Sequence, residues 1–270
     1  MGVARRRLLG GALVAAGGAV VGGVVAALWP LLGPDRLPIS GGYAPAGVAR
    51  TWSPRGQVQV HWHVPTDEPL VALTFDDGPG PWTPMVLDAL DRADAPATFF
   101  MVGERLTRAP ELVRGRLDRH EVGNHTWAHR DLAQLDEAGV RDQLTRTHDA
   151  IHRLLGRSPT LMRPPWGHLG GSTLTVVDEL GYDVVMWSQQ MRETMFQADP
   201  PAQVRDIVDN AKPGTIVLAH DVGGPDRLVA LRQIGAFIDG FRARGLKPVT
   251  VSELLAAHRS GPPGPSPAGR

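Results

Sequence analysis

The chain contains 270 residues, and its 28 lysine and arginine residues are balanced by 28 aspartate and glutamate residues. This length suits one large domain, and the balanced charge gives no electrostatic footprint for nucleic acid, so we expect no nucleic-acid partner. The chain has no cysteine, which excludes disulfides, thiolate catalysis and cysteine-ligated metal. His, Asp and Glu remain as the strong metal ligands.

The N-terminal segment is strongly apolar. Arg5, Arg6 and Arg7 precede an uncharged stretch, residues 8–32, that is rich in Gly, Ala, Val and Leu. As a helix this stretch is long enough to span a bilayer core of about 30 Å, with its basic end in the cytoplasm. We therefore predict a signal or membrane anchor over residues 1–32 and an extracytoplasmic protein, secreted or anchored to the membrane. The sequence leaves open whether the segment is cleaved and which export route it uses.

A Gly- and Pro-rich segment, residues 33–56, follows and is typical of a linker. The next eight residues, 57–64, alternate in a way that predicts an entry strand. One face of this strand would carry Val58, Val60, Trp62 and Val64. The other face would carry His61 and His63, which we assign to the solvent side and leave out of any site.

Beyond Pro69, strand-like and helix-like stretches alternate. The predicted strands are residues 71–75, 97–102, 121–124, 160–163, 184–187, 215–219 and 247–250. The predicted helices are residues 84–93, 131–155, 174–180, 201–211 and 228–244. Repeated strand–helix units predict an α/β fold with a parallel barrel, in which functional residues gather at the carboxyl ends of the strands. The last segment, residues 260–270, is nearly all Gly, Pro and Ser and predicts a disordered tail.

Two adjacent carboxylates end the first strand of the barrel. Residues 71–75 run directly into Asp76 and Asp77, and Gly78 and Pro79 then predict a turn. This order places both acids at the rim of the sheet rather than in its core. An Asp-Asp-Gly sequence alone is more often a simple turn, so the motif needs support from other residues.

A pair of histidines with metal-ligand spacing follows the strand over residues 121–124. His125 and His129 can point the same way from a helical turn or a tight loop, and imidazole with carboxylate is a standard ligand set for zinc. His148 and His152 have the same spacing but lie in a charged, helix-like stretch, residues 141–155. We assign that second pair to the exposed face of an amphipathic helix. Spacing alone therefore does not identify a metal site.

Two further motifs accompany the first pair. Residues 163–167 read Arg-Pro-Pro-Trp-Gly, a rigid turn after a short apolar strand, and residues 216–221 form an apolar strand that ends in His220 and Asp221. Taken in order, the motifs resemble those of the polysaccharide deacetylase family, the carbohydrate esterases of family 4 with a NodB-homology domain. The resemblance covers roughly residues 64–255.

The resemblance implies both a fold and an activity. The fold would be a distorted (β/α)7 barrel forming a catalytic domain over residues 57–259. The activity would be metal-dependent hydrolysis of N-acetyl or O-acetyl groups on a polysaccharide such as peptidoglycan or a chitin-like polymer. By the same resemblance Asp77, His125 and His129 would hold the divalent metal. Zinc suits this ligand set best, with manganese, cobalt, nickel and iron as alternatives.

The catalytic roles are also implied by the resemblance. Asp76 would take a proton from the attacking water, and Arg163 would pair with Asp76 and keep it ionised. His220 would act as the general acid that protonates the departing nitrogen, since imidazole titrates close to working pH. The residues implied to contact the acetyl group are Trp166, through its backbone N–H, and Trp187 and Leu218, as walls around the methyl.

One position departs from the family pattern. Many members carry an Asp a few residues beyond the residue equivalent to Trp187, where it hydrogen-bonds the catalytic histidine; this chain has Gln189 and Gln190 there. We hypothesise that His220 is consequently a weaker or lower-pKa acid, unless its ring is oriented by one of those two amides or by a substitute carboxylate, Asp221 or Glu193.

Two other functions are weighed against a glycan deacetylase. A non-catalytic metal- or glycan-binding relative with the same barrel is the alternative, and the missing Asp is its support. A zinc peptidase is excluded, because Thr126 and Trp127 stand where the peptidase helix carries its Glu base. For the favoured function we expect a monomer whose partners are an acetylated glycan and, through the N-terminal segment, a membrane.

Overall fold

The computed structural model of this chain describes residues 58–260. It contains a nine-stranded sheet whose named strands all pair in parallel. The strands are β1 (Val60–His61), β2 (Leu70–Asp76), β3 (Thr98–Met101), β4 (Glu121–Asn124), β5 (Leu161–Met162), β6 (Asp183–Val185), β7 (Gln189–Gln190), β8 (Thr215–His220) and β9 (Lys247–Val249).

The strand order is β1-β6-β5-β4-β3-β2-β8-β7, and β9 pairs with β2. The first half of β2 pairs with β9 and its second half with β3, while β8 pairs with β2 from Val71 to Asp76. This parallel half-barrel with helices is consistent with the predicted distorted (β/α) barrel, and β2 lies near its middle.

Eight α-helices occur within the described residues. They are α1 (Thr83–Arg92), α2 (Gly103–Arg108), α3 (Glu137–Leu155), α4 (Gly171–Leu180), α5 (Pro200–Asn210), α6 (Leu228–Leu231), α7 (Ile234–Ala243) and α8 (Val251–Ser260). None of the helices described between residues 58 and 260 has the length and apolar character needed to cross a membrane.

Two of the predicted helices are interrupted. The prediction over residues 131–155 was wrong at its start, because Asp131 caps a separate 3-10 turn and Asp136 accepts a hydrogen bond from the Gly139 N–H to cap α3. The prediction over residues 228–244 divides into α6 and α7. Helical periodicity continues through such breaks, so the sequence alone did not reveal them.

Strand β2 presents alternate side chains to the two sides of the sheet. One set packs in a buried apolar core with Leu87 of α1 and Phe237 of α7, and its members are Val71, Leu73 and Phe75. The intervening residues are Ala72, Thr74 and Asp76, and all three are buried. Ala72 belongs to a second apolar cluster. The alternation therefore directs Asp76 away from the helix-covered core, at the carboxyl end of the strand.

The predicted entry strand is shorter and less regular than expected. Only Val60 and His61 pair with β6, and the chain then forms an isolated antiparallel bridge from His63 to Thr215. Trp62 and Val64, which were predicted to share one face, differ in their surroundings, since Trp62 is 38% exposed while Val64 is buried. A two-residue strand does not hold a longer alternation in register.

The predicted segments at the two ends lie largely outside the described residues. These are the signal or membrane anchor, residues 1–32, the linker, residues 33–56, and the tail, residues 260–270, of which Ser260 alone is described, as the last residue of α8.

Candidate active site

The predicted site residues converge at the carboxyl ends of the central strands. Asp76 ends β2 and is in register with His220 at the end of β8. Beyond β4, the backbone N–H of His125 donates to the Met101 carbonyl, and the N–H of Arg163 donates to the Asn124 carbonyl. Parallel pairing thus brings residues that are distant in the sequence to the same edge of the sheet.

Three side chains form a compact group with metal-ligand chemistry. Nε2 of His129 lies 3.0 Å from Oδ1 of Asp77, and Nε2 of His125 lies 3.4 Å from the same oxygen. All three ligand atoms lie within 4.8 Å of one another. Among the residues that the structure describes, this is the one His, Cys, Asp or Glu cluster with metal-ligand spacing.

The orientation of His125 suits a cation. Its Nδ1 lies 2.7 Å from the Arg163 carbonyl oxygen, which acts as the acceptor, so the proton belongs on Nδ1 and the Nε2 lone pair faces Asp77. Oδ1 of Asp77 is buried and makes no hydrogen bond of acceptable geometry. A carboxylate oxygen and two imidazole nitrogens that converge in this way match the donor set of a divalent metal.

The charges of the cluster agree with that geometry. Burial raises the pKa of Asp77, but the imidazoles of His125 and His129 outweigh this effect and hold the pKa well below its usual value. Asp77 is therefore ionised at any ordinary pH and available as an anionic ligand.

The backbone of the site is unusual. Asp77, Thr126, His129 and Trp166 are non-glycine residues with φ of 76°, 68°, 52° and 55°. Such left-handed conformations cost of order 1–3 kcal/mol when the residue is not glycine, and they persist only where the surroundings fix them. The Asn124 side-chain oxygen, for example, accepts a hydrogen bond from the Thr126 N–H. The tight turns direct the side chains towards one another.

Arg163 is the buried partner of Asp76. Its Nη1 donates to Oδ1 of Asp76 and to Oγ1 of Thr74, each at 2.7 Å. Its Nε donates to the Val185 carbonyl at 3.0 Å and its Nη2 to the Met186 carbonyl at 2.8 Å. The side chain is fully buried. The guanidinium is thus held by four acceptors, and the expected pairing of Asp76 with Arg163 is present.

His220 faces the same space but lacks a hydrogen-bond partner at one nitrogen. Its Nδ1 is buried and unpaired within the described part of the chain. Burial lowers the pKa of His220 to about 4; the Asp76 carboxylate opposes this shift and the Arg227 guanidinium adds to it. Since Nδ1 is unpaired, no carboxylate of residues 58–260 takes the place of the Asp that the family pattern has beside this histidine.

The candidate substitutes bond elsewhere. The Gln190 side-chain oxygen accepts from Nε1 of Trp187 at 3.1 Å, and both Glu193 carboxylate oxygens accept from Nη1 of Arg227 at 3.1 and 3.0 Å. Asp221 accepts from a threonine hydroxyl. The hypothesis that one of these groups orients the catalytic histidine is not supported by any contact in the structure.

An open cavity of about 520 Å³ connects these groups. Every predicted site residue except the fully buried Arg163 lines it: Asp76, Asp77, His125, His129, Trp166, Trp187, Leu218 and His220. The Trp166 side chain is 56% exposed at the rim, and its ring lies edge-on to the His129 ring at 4.5 Å.

Sequence reasoning missed part of the cavity wall. Arg227 lines it, as do Met195 and Asp226, and none of the three was singled out. Their position on the loops that follow β7 and β8 was the available signal, because loops after barrel strands build the active-site face.

The control pair of histidines was only half correctly placed. His152 is exposed, as predicted, but His148 is half-buried, and its Nδ1 lies 2.8 Å from the Tyr182 hydroxyl. Neither belongs to the metal-ligand cluster.

Comparisons with known proteins agree with the motifs. The sequence profile of the family described as polysaccharide deacetylase matches residues 63–185. A peptidoglycan-N-acetylglucosamine deacetylase of Bacillus cereus is 38% identical over 200 residues, covering 73% of this chain and 92% of the relative. A chitin deacetylase of Pestalotiopsis sp is 35% identical over 190 residues, covering 68% of this chain and 63% of the relative.

A solved structure extends the likeness to the fold. A peptidoglycan N-acetylglucosamine deacetylase, crystallised with a naphthyl-substituted N-hydroxybenzamide, superposes with a TM-score of 0.70 at 28% identity, covering 76% of this chain and 98% of that one. The resemblance carried by the motifs is thereby confirmed, and the chain belongs to the polysaccharide deacetylase family.

Proposed function

We propose that this protein is a metal-dependent deacetylase that removes N-acetyl groups from a cell-wall glycan of the peptidoglycan type. The observation that carries the proposal is the convergence of a His₂Asp cluster, a carboxylate clamped by a buried arginine and a third histidine in one cavity. The relatives named above act on peptidoglycan and chitin, whose sugars carry N-acetyl groups.

The metal would be held by Asp77, His125 and His129, whose donor atoms suit zinc and also manganese, cobalt, nickel or iron. A divalent cation at this position supplies polarisation of the acetyl carbonyl and lowers the pKa of the attacking water. The hydrogen bond from Nδ1 of His125 to the Arg163 carbonyl fixes the tautomer that such a site needs.

Asp76 would be the general base. Its Oδ1 accepts from Arg163, while its Oδ2 lies 3.8 Å from Nε2 of His125 and faces the ligand cluster. Because the buried guanidinium binds Oδ1, Oδ2 is left to accept the proton of a water molecule placed beside the cluster. Adjacent residues thus divide the work, with Asp77 as ligand and Asp76 as base.

His220 would deliver the proton to the departing nitrogen, because it faces Asp76 across the β2–β8 pair and lines the cavity. The Trp166 N–H would donate to the developing oxyanion, and a main-chain donor does not depend on which side chain occupies the position. Leu218 and Trp187 would enclose the acetyl methyl.

A non-catalytic role is less well supported. A glycan-binding module has no use for a carboxylate paired with a buried arginine beside a metal-ligand cluster, or for a histidine opposite it. The presence of Asp76 and His220 in one cavity, with the buried Arg163 paired to Asp76 behind it, therefore favours catalysis.

The place of action is part of the same proposal. Relatives named for peptidoglycan act on a polymer outside the cytoplasm, and the apolar residues 8–32 of this chain provide a signal or a membrane anchor. We infer that the deacetylase domain works outside the cytoplasmic membrane.

Acetate release by the purified protein tests the function. The substrates are peptidoglycan, chitin oligomers and acetylated xylan, each assayed before metal removal, after chelation and after Zn²⁺ is restored. We expect release from the N-acetylated glycans, loss of it on chelation and recovery with Zn²⁺. Acetate production that continues unchanged after complete metal removal would contradict the mechanism.

The variant Asp76→Asn separates catalysis from binding. Because it removes the base but no metal ligand, we expect retained metal content and acetate release lower by about 10²- to 10⁴-fold. A protein that binds glycan with metal present but releases no acetate, with or without the substitution, would be the non-catalytic relative instead.

A further inference from the structure

A buried carboxyl group lies beneath the turn that follows Asp77. Asp221 comes directly after His220 and is fully buried. Its Oδ2 accepts a hydrogen bond from Oγ1 of Thr83 at 2.5 Å, while its Oδ1 is buried without a hydrogen-bond partner. The mechanism above gives this residue no task, yet a buried carboxyl group is costly and requires an explanation.

The threonine continues the linkage back to the turn. Thr83 is the first residue of α1 and is fully buried, and its Oγ1 accepts a hydrogen bond from the Gly80 N–H at 2.8 Å. A threonine hydroxyl has one proton to donate, and here it donates that proton to Asp221. Two hydrogen bonds, from the Gly80 N–H to Thr83 and from Thr83 to Asp221, therefore join the turn to the end of β8. We call this pair of hydrogen bonds the turn relay.

The contact between the turn and the carboxyl group is tight. A Cβ atom added to Gly78 would lie 2.7 Å from each carboxyl oxygen of Asp221, closer than real Cβ contacts allow. The backbone of the turn therefore lies directly on the carboxyl group. Asp77, the residue before Gly78, has the left-handed φ of 76°, a conformation that the surroundings must fix.

We propose that Asp221 and Thr83 are positioning residues that hold the turn so that Asp77 faces His125 and His129. Neither residue lines the cavity or belongs to the metal-ligand cluster. The inference rests on the proposed function, because it takes Asp77 as a metal ligand. It also replaces the sequence-based suggestion that Asp221 tunes the catalytic histidine, since its contact is with Thr83.

The chain provides a matched control at the opposite end of the sheet. Thr98 is also fully buried; its Oγ1 accepts from the Val251 N–H and donates to Oε2 of Glu121, both at 2.9 Å. The order of groups, backbone N–H to threonine to carboxylate, is the same as in the turn relay. Thr98 starts β3, so this control relay lies at the amino ends of the strands, away from the site.

The test measures Zn²⁺ affinity of the full-length protein after metal removal, by competition with a chromogenic chelator, together with the melting temperature of each metal-free variant. Thr83→Val and Asp221→Ala each break the turn relay, and we expect each to raise the Zn²⁺ Kd by about 10-fold, the lower end of the effect of outer-shell changes. Thr83→Ser keeps the hydroxyl and should stay within about 2-fold of wild type.

Thr98→Val is the control for stability. It should lower the melting temperature about as much as Thr83→Val does, because it removes the same kinds of hydrogen bond, while leaving the Zn²⁺ Kd within about 2-fold of wild type. A purely structural role for the turn relay predicts that the two valine variants behave alike.

The outcomes separate this proposal from the function it rests on. Equal Zn²⁺ Kd values for Thr83→Val, Asp221→Ala and Thr98→Val would overturn the positioning role, and so would loss of folding in both turn-relay variants. A wild-type protein that binds no Zn²⁺ and releases acetate without metal would instead overturn the metal-site assignment. Either turn-relay variant alone is sufficient for the comparison if the other does not fold.

Discussion

The two ends of the same parallel strands differ in how they use polar groups. Of the five non-glycine residues with left-handed φ between residues 58 and 260, four lie at the carboxyl ends: Asp77, Thr126, His129 and Trp166. Buried polar atoms without hydrogen-bond partners also occur there: Asp77 Oδ1, Thr126 Oγ1 and His220 Nδ1. Strain and unpaired polar atoms together are the features expected where a ligand, rather than the protein, completes the interactions.

At the amino ends the polar groups are used for stability. Glu121, which starts β4, accepts from the Thr98 hydroxyl and from the Ser252 backbone N–H and hydroxyl at the start of α8. The Val251 N–H, also at that helix start, donates to Thr98. These donors and acceptors satisfy one another and stabilise the barrel without offering a binding site, and Nε2 of His120 is the exception at this end, buried without a partner among the described residues. One end therefore supports the fold and the other the chemistry.

The largest expected effect comes from breaking the ligand cluster. His129→Ala removes one of three donors, so we expect bound Zn²⁺ to fall to near zero and acetate release to fall by at least about 10³-fold. His152→Ala is the matched control, because His152 has the same spacing in its own pair but is exposed on α3. Elemental analysis of bound metal and acetate release check the result. Equal loss in both variants would contradict the assignment of His129 as a metal ligand.

Removing the buried guanidinium should have the next largest effect, which is a loss of stability. Arg163→Met leaves Asp76 buried without its charged partner, and we expect the free energy of unfolding to fall by about 3–5 kcal/mol. Arg108→Met removes an arginine from the exposed pair with Glu104 at 3.0 Å and should cost no more than about 0.5 kcal/mol. Urea unfolding measures both. Similar losses of unfolding free energy in the two variants would contradict the expectation that the buried pair of Arg163 and Asp76 stabilises the protein more than an exposed pair does.

A change at the amino ends should separate stability from activity. Glu121→Gln removes one acceptor oxygen beside the start of α8, and we expect the free energy of unfolding to fall by about 1–2 kcal/mol. Acetate release per folded molecule should stay within about 2-fold of wild type. A much larger loss of acetate release in Glu121→Gln would contradict the view that the amino ends of the strands serve stability and not activity. Glu111→Gln, at an exposed position, provides the control.

The smallest effect concerns the pH dependence of stability. Burial lowers the pKa of His120 to about 4 from its ordinary 6.5, and its Nδ1 accepts from the Ala97 N–H. As the pH falls below 6.5 the unfolded chain takes up a proton that the folded chain does not. This contribution to stability is therefore present above pH 6.5 and is lost between about 6.5 and 4.

The variant His120→Asn keeps an acceptor for the Ala97 N–H but cannot titrate. As the pH falls from 6 to 5, the unfolding free energy of this variant should decrease less than that of the wild type. The difference between the two slopes should be about 1 kcal/mol per pH unit. Urea unfolding at a series of pH values checks this, with exposed His152→Asn as the control. Parallel pH profiles for His120→Asn and wild type would contradict the assignment.

Much of the candidate site could be predicted because its chemistry is local in the sequence. Asp76 and Asp77 follow an apolar strand directly, and His125 follows a strand whose predicted bounds, residues 121–124, match β4. In a parallel sheet each such strand end lies at the same edge, so the order of motifs was enough to place their residues together. Their catalytic roles remain predictions.

Other features could not be read from the sequence. The half-buried state of His148 depends on the Tyr182 hydroxyl of another segment, and the exposure of Trp62 depends on how briefly β1 pairs. Interactions between residues far apart in the chain leave no periodic pattern, so neither outcome had a local signal.

The sequence by itself determined the family, the strand–helix alternation and the residues with the chemistry for metal binding and proton transfer. Only the tertiary structure decided which polar groups meet: that Asp221 bonds to Thr83 and that no carboxylate in the described part of the chain reaches Nδ1 of His220. The physical reason is that hydrogen-bond partners are set within a few tenths of an ångström by the packing of the whole barrel. Residue type and spacing along the chain do not fix distances of that size.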